Sequence, residues 1–237
     1  MIELMAIVNL SPDSFHSPMG SLEEAMESGA DILDLGAVST RPGADYVSEE
    51  EEWRRLAPAL SKLDGRMKIS IDTTRSSIVR RVYEMRGHFI VNDISAGLDD
   101  EQMLETVAKL GLGYIAMHKR GTPKTMDSLT RYKGGLMASI KGYFEDFAAR
   151  AEAAGISDWV LDPGFGFAKT ERQNIYLVDH LEELKVFGKP ILAGIADKRF
   201  THGRTEQYHM RALRHGADML RVHDPQAARK TIEAFEG

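Results

Sequence analysis

The stretch ELMAIVNLSPDSFHS (3–17) decides the fold. Its first part, ELMAIV (3–8), is a short apolar run that reads as a strand, and it breaks off abruptly on the amide of Asn9. The residues that follow form a turn-making cluster carrying a carboxylate and several hydroxyls. An open, doubly wound sheet would usually place a glycine-rich phosphate loop after its first strand, and NLSPDSF is not one. Outward from this point the same unit returns: aliphatic run, polar loop, helical pattern, often a glycine. The predicted strands are 4–9, 31–36, 68–72, 89–93, 113–118, 159–163, 190–195 and 218–223. Between them, SEEEEWRRLAPALSKLD carries capping-box spacing at Ser48 and Glu51 and one apolar face through Trp53, Leu56, Ala57, Leu60 and Leu63. The segments 100–111 and 171–188 read as helices ending on glycine. A partial echo, SGADILDLG (28–36) and HGADMLRVH (215–223), fits a repeated unit. Strands alternating with helices on a chain of 237 residues predict a single closed (β/α)8 TIM barrel, an α/β fold with one domain over 1–237.

Composition narrows the function. The formal net charge is −6, which argues against an extended basic surface for nucleic acid. No apolar run is long enough for a membrane span, and the N-terminus has no basic region or cleavage-like site, so a cytoplasmic protein is expected. Cysteine is absent, which removes thiolate metal sites and a cysteine nucleophile.

In a barrel, chemistry sits where strands end. The strand ends here are polar: Asn9, Asp72, Asn92, His118 and Asp162, then Asp197 and Lys198 past strand seven, and Arg221 and His223 on strand eight. Any one of them could be a helix cap; the set converges on a polar pocket at one face. Carboxylates, an amide and a lysine together suit a flat heterocycle with an amide-like edge and an amino group. STRPGAD (39–45) presents hydroxyls and a guanidinium suited to phosphate, and the oxygens of Asn9 and SPDSF suit magnesium shared with substrate phosphates.

The motifs NLSPDSF, STRPGA, SIDT, VNDISAG, MHKRGTPKTM, LDPGFGFAKT and LRVHD occur in order at successive strand ends. With them the chain resembles the bacterial dihydropteroate synthases, folate-pathway enzymes of the pterin-binding barrel group. The resemblance covers nearly the whole chain. It implies a transferase that condenses 6-hydroxymethyl-7,8-dihydropterin pyrophosphate with p-aminobenzoate, with magnesium as cofactor and a possible homodimer. By the same resemblance, Asp72, Asn92, Met117, Asp162, Lys198 and Arg221 hold the pterin, with Arg221 stacked on it. Asn9, Thr40, Arg41, Arg221 and His223 contact pyrophosphate, and Asn9 also contacts the metal. Asp13, Thr40 and Arg41 belong to two mobile loops that close over the site; Asp13, Arg41, Asp72 and Lys198 are the implied catalytic residues. Phe167 and Arg199 line the p-aminobenzoate pocket.

The chain departs from this pattern at Ala196-Asp197, where the family usually has Ser-Arg, in a short seventh crossover, and at Ala37-Val38. Asp197 either faces the acceptor's carboxylate or makes a surface ion pair with Arg199 or Arg204. Asp34, mid-strand in DILDLG, is either a buried hydrogen-bonded carboxylate or a pocket-floor residue. Two other functions share the pterin contacts. A corrinoid methyltransferase would not need SPDSF and STRPG; a non-catalytic pterin-binding paralogue would be favoured by Ala196-Asp197 and the short crossover.

Overall fold

A computed structural model describes residues 1–10, 22–38, 46–122 and 125–237. Its strands are β1 (Glu3–Asn9), β2 (Ile32–Gly36), β3 (Ile69–Asp72), β4 (Ile90–Asp93), β5 (Gly113–Met117), β6 (Trp159–Asp162), β7 (Leu192–Ala193) and β8 (Met219–Val222). All eight predicted strands are present, in one parallel sheet of order β6-β5-β4-β3-β2-β1-β8-β7. The two ends meet: Leu161 on β6 bridges Ile191, and its N–H donates to the Pro190 carbonyl at 2.9 Å. The sheet is therefore a barrel and not an open, doubly wound one.

The helices alternate with the strands as α1 (Leu22–Glu27), α2 (Glu49–Lys62), α3 (Ser76–Arg86), α4 (Met103–Leu110), α5 (Leu136–Ala154), α6 (Glu171–Val178), α7 (Thr205–Arg214) and α8 (Pro225–Glu236). No helix among the described residues is long and apolar enough to cross a membrane. The period-two alternation of the strands sorts their side chains. Leu4, Ala6, Leu33, Leu35 and Ile71 join the shell under the helices. Their neighbours Met5, Ile32, Ile115, Leu192 and Met219 form a separate apolar plug, with Ile90 and Val160 packed against it. Two residues further along the same inward rows come Asp34, Asn92, Met117, Asp162 and Arg221. Alternation alone thus places polar side chains in the barrel mouth above an apolar floor.

Local differences have identifiable causes. Ser48 caps α2 by accepting from the Glu51 N–H at 3.3 Å, but the Glu51 carboxylate turns outward to Arg54 and Arg55, so only half of the capping box forms. A complete box lies at Thr170–Gln173. The acidic run 49–52 forms the first turn of α2. Glu52 is buried, accepts from Thr73 Oγ1 at 2.6 Å and pairs with Arg75, which also donates to the Val47 carbonyl. The segment 171–188 is not one helix: α6 ends at Val178 and a 3-10 stretch, Leu181–Phe187, follows. Asp179 at the break accepts two bonds from Arg211 Nη2 at 2.6 and 2.7 Å, a cross-helix anchor that fixes the chain direction there.

His209 on α7 is buried, and neither ring nitrogen has a hydrogen-bond partner among the described residues. Burial lowers its pKa to about 4, against 6.5 for an ordinary histidine. Between these values the unfolded chain binds a proton that the native state refuses, so stability is full above the ordinary pKa and falls as pH drops towards the folded one. The difference corresponds to about 3 kcal/mol. His209→Leu should remove that slope: in urea unfolding at pH 7 and at pH 4.5, the variant should lose about 2 kcal/mol less on acidification than the parent. Parallel losses would assign the acid sensitivity elsewhere.

Candidate active site

The strand register gathers the polar ends into one ring. Asn9 lies beside Gly36, Gly36 beside Asp72, Asp72 beside Asn92, and Met117 beside Asp162. Of its two readings, Asp34 follows that of a buried, hydrogen-bonded carboxylate. It is fully buried, and its Oδ2 accepts from Arg221 Nε at 2.6 Å and from Asn92 Nδ2 at 3.1 Å. Arg221 Nη2 reaches on to Asp72 Oδ2 at 2.8 Å. Asp34 Oδ1 has no partner among the described residues. One guanidinium is therefore shared by two carboxylates at the floor of the mouth. Burial works against the charge of Arg221, but Asp34 and Asp72 outweigh it and hold its pKa above the ordinary arginine value. Burial raises the pKa of Asp72, with Arg221 opposing and the Asp34 charge adding to the rise.

The opposite wall is built by the β6–α6 turn. Asp162 is buried, and its Oδ1 accepts the Gly164 N–H at 2.8 Å. Its Oδ2 points towards Gly194, 3.7 Å from where a Cβ would stand there. Burial raises the Asp162 pKa, opposed by the Gly164 N–H and by Arg221 and Lys198. Lys198 Nζ lies 4.9 Å from the Phe167 ring centroid. Gly166, at φ +79°, leaves room for that lysine: a Cβ there would come within 3.0 Å of Lys198 Cδ. Beneath the turn, Lys169 Nζ contacts His118 Nδ1 at 3.0 Å, the Gly164 carbonyl at 2.8 Å and the Phe167 carbonyl at 3.1 Å.

Asp72, Asn92, Met117, Asp162 and Arg221 stand at the C-terminal ends of their strands, and Phe167 and Lys198 lie in the loops that follow β6 and β7. Asn9 is exposed at the end of β1, His223 follows β8, and Arg199 is exposed at the start of a 3-10 turn, Arg199–Thr201. Asp13, Thr40 and Arg41, and with them the two predicted loops, lie outside the described residues. Of the two readings of Asp197, no ion pair with Arg199 or Arg204 forms among the described residues; its carboxylate stands 3.9 Å from His223 Nε2. The β7 and β8 loops are neighbours around the barrel, which brings these two residues together across the sequence. Sequence reasoning passed over Lys169 and Glu52. A lysine after an aromatic-glycine run and an acid within EEEE look solvated; only the fold shows that they are buried.

The model of a family described as pterin binding enzyme matches residues 5–223 of this chain. Dihydropteroate synthase of Neisseria meningitidis serogroup C is 37% identical, covering 99% of this chain and 92% of the relative. The Escherichia coli K12 dihydropteroate synthase is 35% identical over 98% of this chain and 89% of its own length. Among solved structures, the Yersinia pestis dihydropteroate synthase with a sulfonamide drug superposes with a TM-score of 0.90 at 32% identity, covering 99% of this chain and 93% of that one. The Thermus thermophilus enzyme in complex with 4-aminobenzoate gives 0.88 at 36% identity, with the same coverage.

Proposed function

The chain belongs to the pterin binding enzyme family, and on that premise we infer its reaction: it joins 6-hydroxymethyl-7,8-dihydropterin pyrophosphate to p-aminobenzoate, giving 7,8-dihydropteroate and pyrophosphate. It is a transferase of folate synthesis, a dihydropteroate synthase by kind. The observation that carries the assignment of the site is the buried pair Asp162 and Asn92, facing one mouth above an apolar floor. Asp162 Oδ2 accepts from the amino-pyrimidine edge of the pterin, and the Asn92 amide reads the adjoining carbonyl and ring nitrogen. Lys198 and Arg221 lie along the ring faces and edge, and Met117 packs beneath. When the C–O bond to pyrophosphate breaks, positive charge spreads over the pterin. The carboxylates of Asp72 and Asp162 are preorganised to offset it. The arylamine nitrogen then forms the new C–N bond and releases a proton. Phe167 supports the arylamine ring, and by the family resemblance Arg199 is assigned to its carboxylate.

Magnesium fits the rim as a shared ion. Asn9 offers an exposed, hard amide oxygen, and among the described residues no group of three or more His, Cys, Asp or Glu side chains forms an all-protein cage. Asn9 and the substrate's phosphates would hold the ion, which would neutralise charge on the departing pyrophosphate. By the family resemblance, we assign Thr40, Arg41 and His223 to the pyrophosphate and Asp13 to catalysis. We place the protein in the cytoplasm. Its homodimer contact we place on the face of α7 and α8, where a groove of about 710 Å3 is lined by Met210, Ala227 and Ala234 among charged side chains that include Glu206, Arg214 and Lys230. Sulfonamides are expected to compete for the acceptor site.

Pyrophosphate release from the pterin substrate, with and without p-aminobenzoate, tests the reaction directly. Stimulation by the acceptor is expected. Pterin binding without any release would turn the reading into that of a binding-only paralogue. Asp197 supplies a further expected result. Restoring a hydroxyl and a cation with Ala196→Ser and Asp197→Arg should lower the acceptor KM about tenfold, the worth of one hydrogen bond to a charged group. An unchanged KM would show that Asp197 points away from the acceptor.

A further inference from the structure

The β6–α6 turn is not a conformation the chain would hold unaided. Gly164, Gly166 and Ala168 all have left-handed φ, at +70°, +79° and +51°. Ala168 carries a Cβ and disfavours that region. Yet this turn aims Phe167 and, through the Gly164 N–H, fixes one oxygen of Asp162. Some of the restraint comes from the periphery: Asn174 Oδ1 accepts the Gly166 N–H at 2.8 Å, and Tyr132 donates to the Ala168 carbonyl at 3.0 Å. The central restraint is Lys169, which is buried and takes no direct part in the chemistry described above. An ammonium has three N–H donors. Lys169 Nζ finds three acceptors: His118 Nδ1 at the end of β5, and the Gly164 and Phe167 carbonyls of the turn itself. Burial holds His118 neutral, so one ring nitrogen is free to accept, and facing an ammonium that nitrogen is Nδ1.

We propose that Lys169 is a positioning residue for both substrates, its ammonium fastening the β6–α6 turn to β5 so that Phe167 and Asp162 meet acceptor and pterin in register. The proposal rests on the reading of Phe167 as the p-aminobenzoate platform. It carries a pH dependence. A neutral amine has two N–H donors, so losing the proton forfeits one of the three ties. Burial lowers the Lys169 pKa to about 7; Asp162 at the end of β6 favours the charge, while Lys198 beyond β7 and Arg120 beyond β5 oppose it. The staple is therefore full in mild acid and weakens as pH rises through neutrality. A carboxylate acceptor titrates well below this range.

The test measures the p-aminobenzoate KM and kcat from pH 6 to pH 9 at saturating pterin pyrophosphate, for the parent, Lys169→Met and Lys169→Arg. The parent KM should rise about tenfold across the range. Lys169→Met should have the high KM already at pH 6 and no pH dependence. Lys169→Arg, charged throughout, should keep KM near the low parental value at pH 9. The variants retain Asp72, His223 and every other titrating group, so the difference between the profiles belongs to position 169. If Lys169→Met does not fold, judged by circular dichroism, the parent and Lys169→Arg profiles decide by themselves. A flat parental KM, or a Lys169→Met enzyme with parental KM, overturns the proposal. A parent that never couples pyrophosphate release to p-aminobenzoate overturns the reaction itself, a distinct outcome.

Discussion

Asp162→Asn should lower pterin affinity at least a hundredfold while the barrel stays folded. The expectation comes from how the two oxygens of this carboxylate are used. Oδ1 is committed to the Gly164 N–H at 2.8 Å. An asparagine would keep its own Oδ1 there, because the reverse orientation sets an N–H against an N–H. The NH2 group would then replace Oδ2 and confront the donors of the pterin's amino-pyrimidine edge. Two buried donors would face each other where a charged acceptor had stood. Loss of a hydrogen bond to a charged group, with one partner left unsatisfied, is worth about 3 kcal/mol, or roughly a hundredfold in affinity. Stability should not suffer, because burial already disfavours the Asp162 charge and the amide has the same shape. Calorimetric titration of pterin and thermal unfolding of the same samples check both halves. A variant that binds pterin as the parent does would remove Asp162 from the site.

Gly164→Ala should cost both fold and activity. A Cβ at Gly164 would lie 2.1 Å from the carbonyl oxygen of His118, a backbone atom that cannot rotate away. The φ of +70° adds left-handed strain. Relief requires the turn to lift off β5, which breaks the Gly164 N–H bond to Asp162 and the Lys169 bond to the Gly164 carbonyl. About 3 kcal/mol of stability should go, a fall in Tm of roughly 6–12 °C for a chain of this size. The kcat/KM should drop more than a hundredfold. Gly29→Ala is the matched control: its φ is +75°, but nothing stands within 4 Å of its Cβ. That change should cost about 1 kcal/mol, from backbone conformation alone, and leave activity intact. Equal Tm shifts for the two variants would mean that the close approach at His118 relaxes without cost.

How much of this could be read from the chain depends on whether the information is local. Each strand shows itself as an aliphatic run, and Asn9, Asp72, Asn92 and Asp162 stand out because each interrupts one. Asp34 stands out too, two residues after Ile32, but its partner Arg221 lies 187 positions away and no local pattern connects them. The same distance problem hid the neighbour of Asp197. Its companion His223 belongs to a different strand–helix unit, whereas Arg199 and Arg204 were merely close in sequence. The break in 171–188 was invisible because its anchor, Arg211, arrives from α7. Lys169 and Glu52 illustrate a further limit. Long charged side chains are usually solvated, and only packing around them reveals which ones are enclosed.

The alternation that raises Asp34, Asp72 and Asn92 into the mouth also makes the site a matter of odd and even. A substitution in β3 or β4 alters one contact. Inserting or deleting a single residue there changes parity for everything beyond it. Ile71 would then face the barrel mouth, and Asp72 would be driven into the apolar shell beneath the helices. Lengthening a connection between strand and helix leaves parity untouched. The family's length variation should therefore collect in its connections, while the interior of each strand keeps its count.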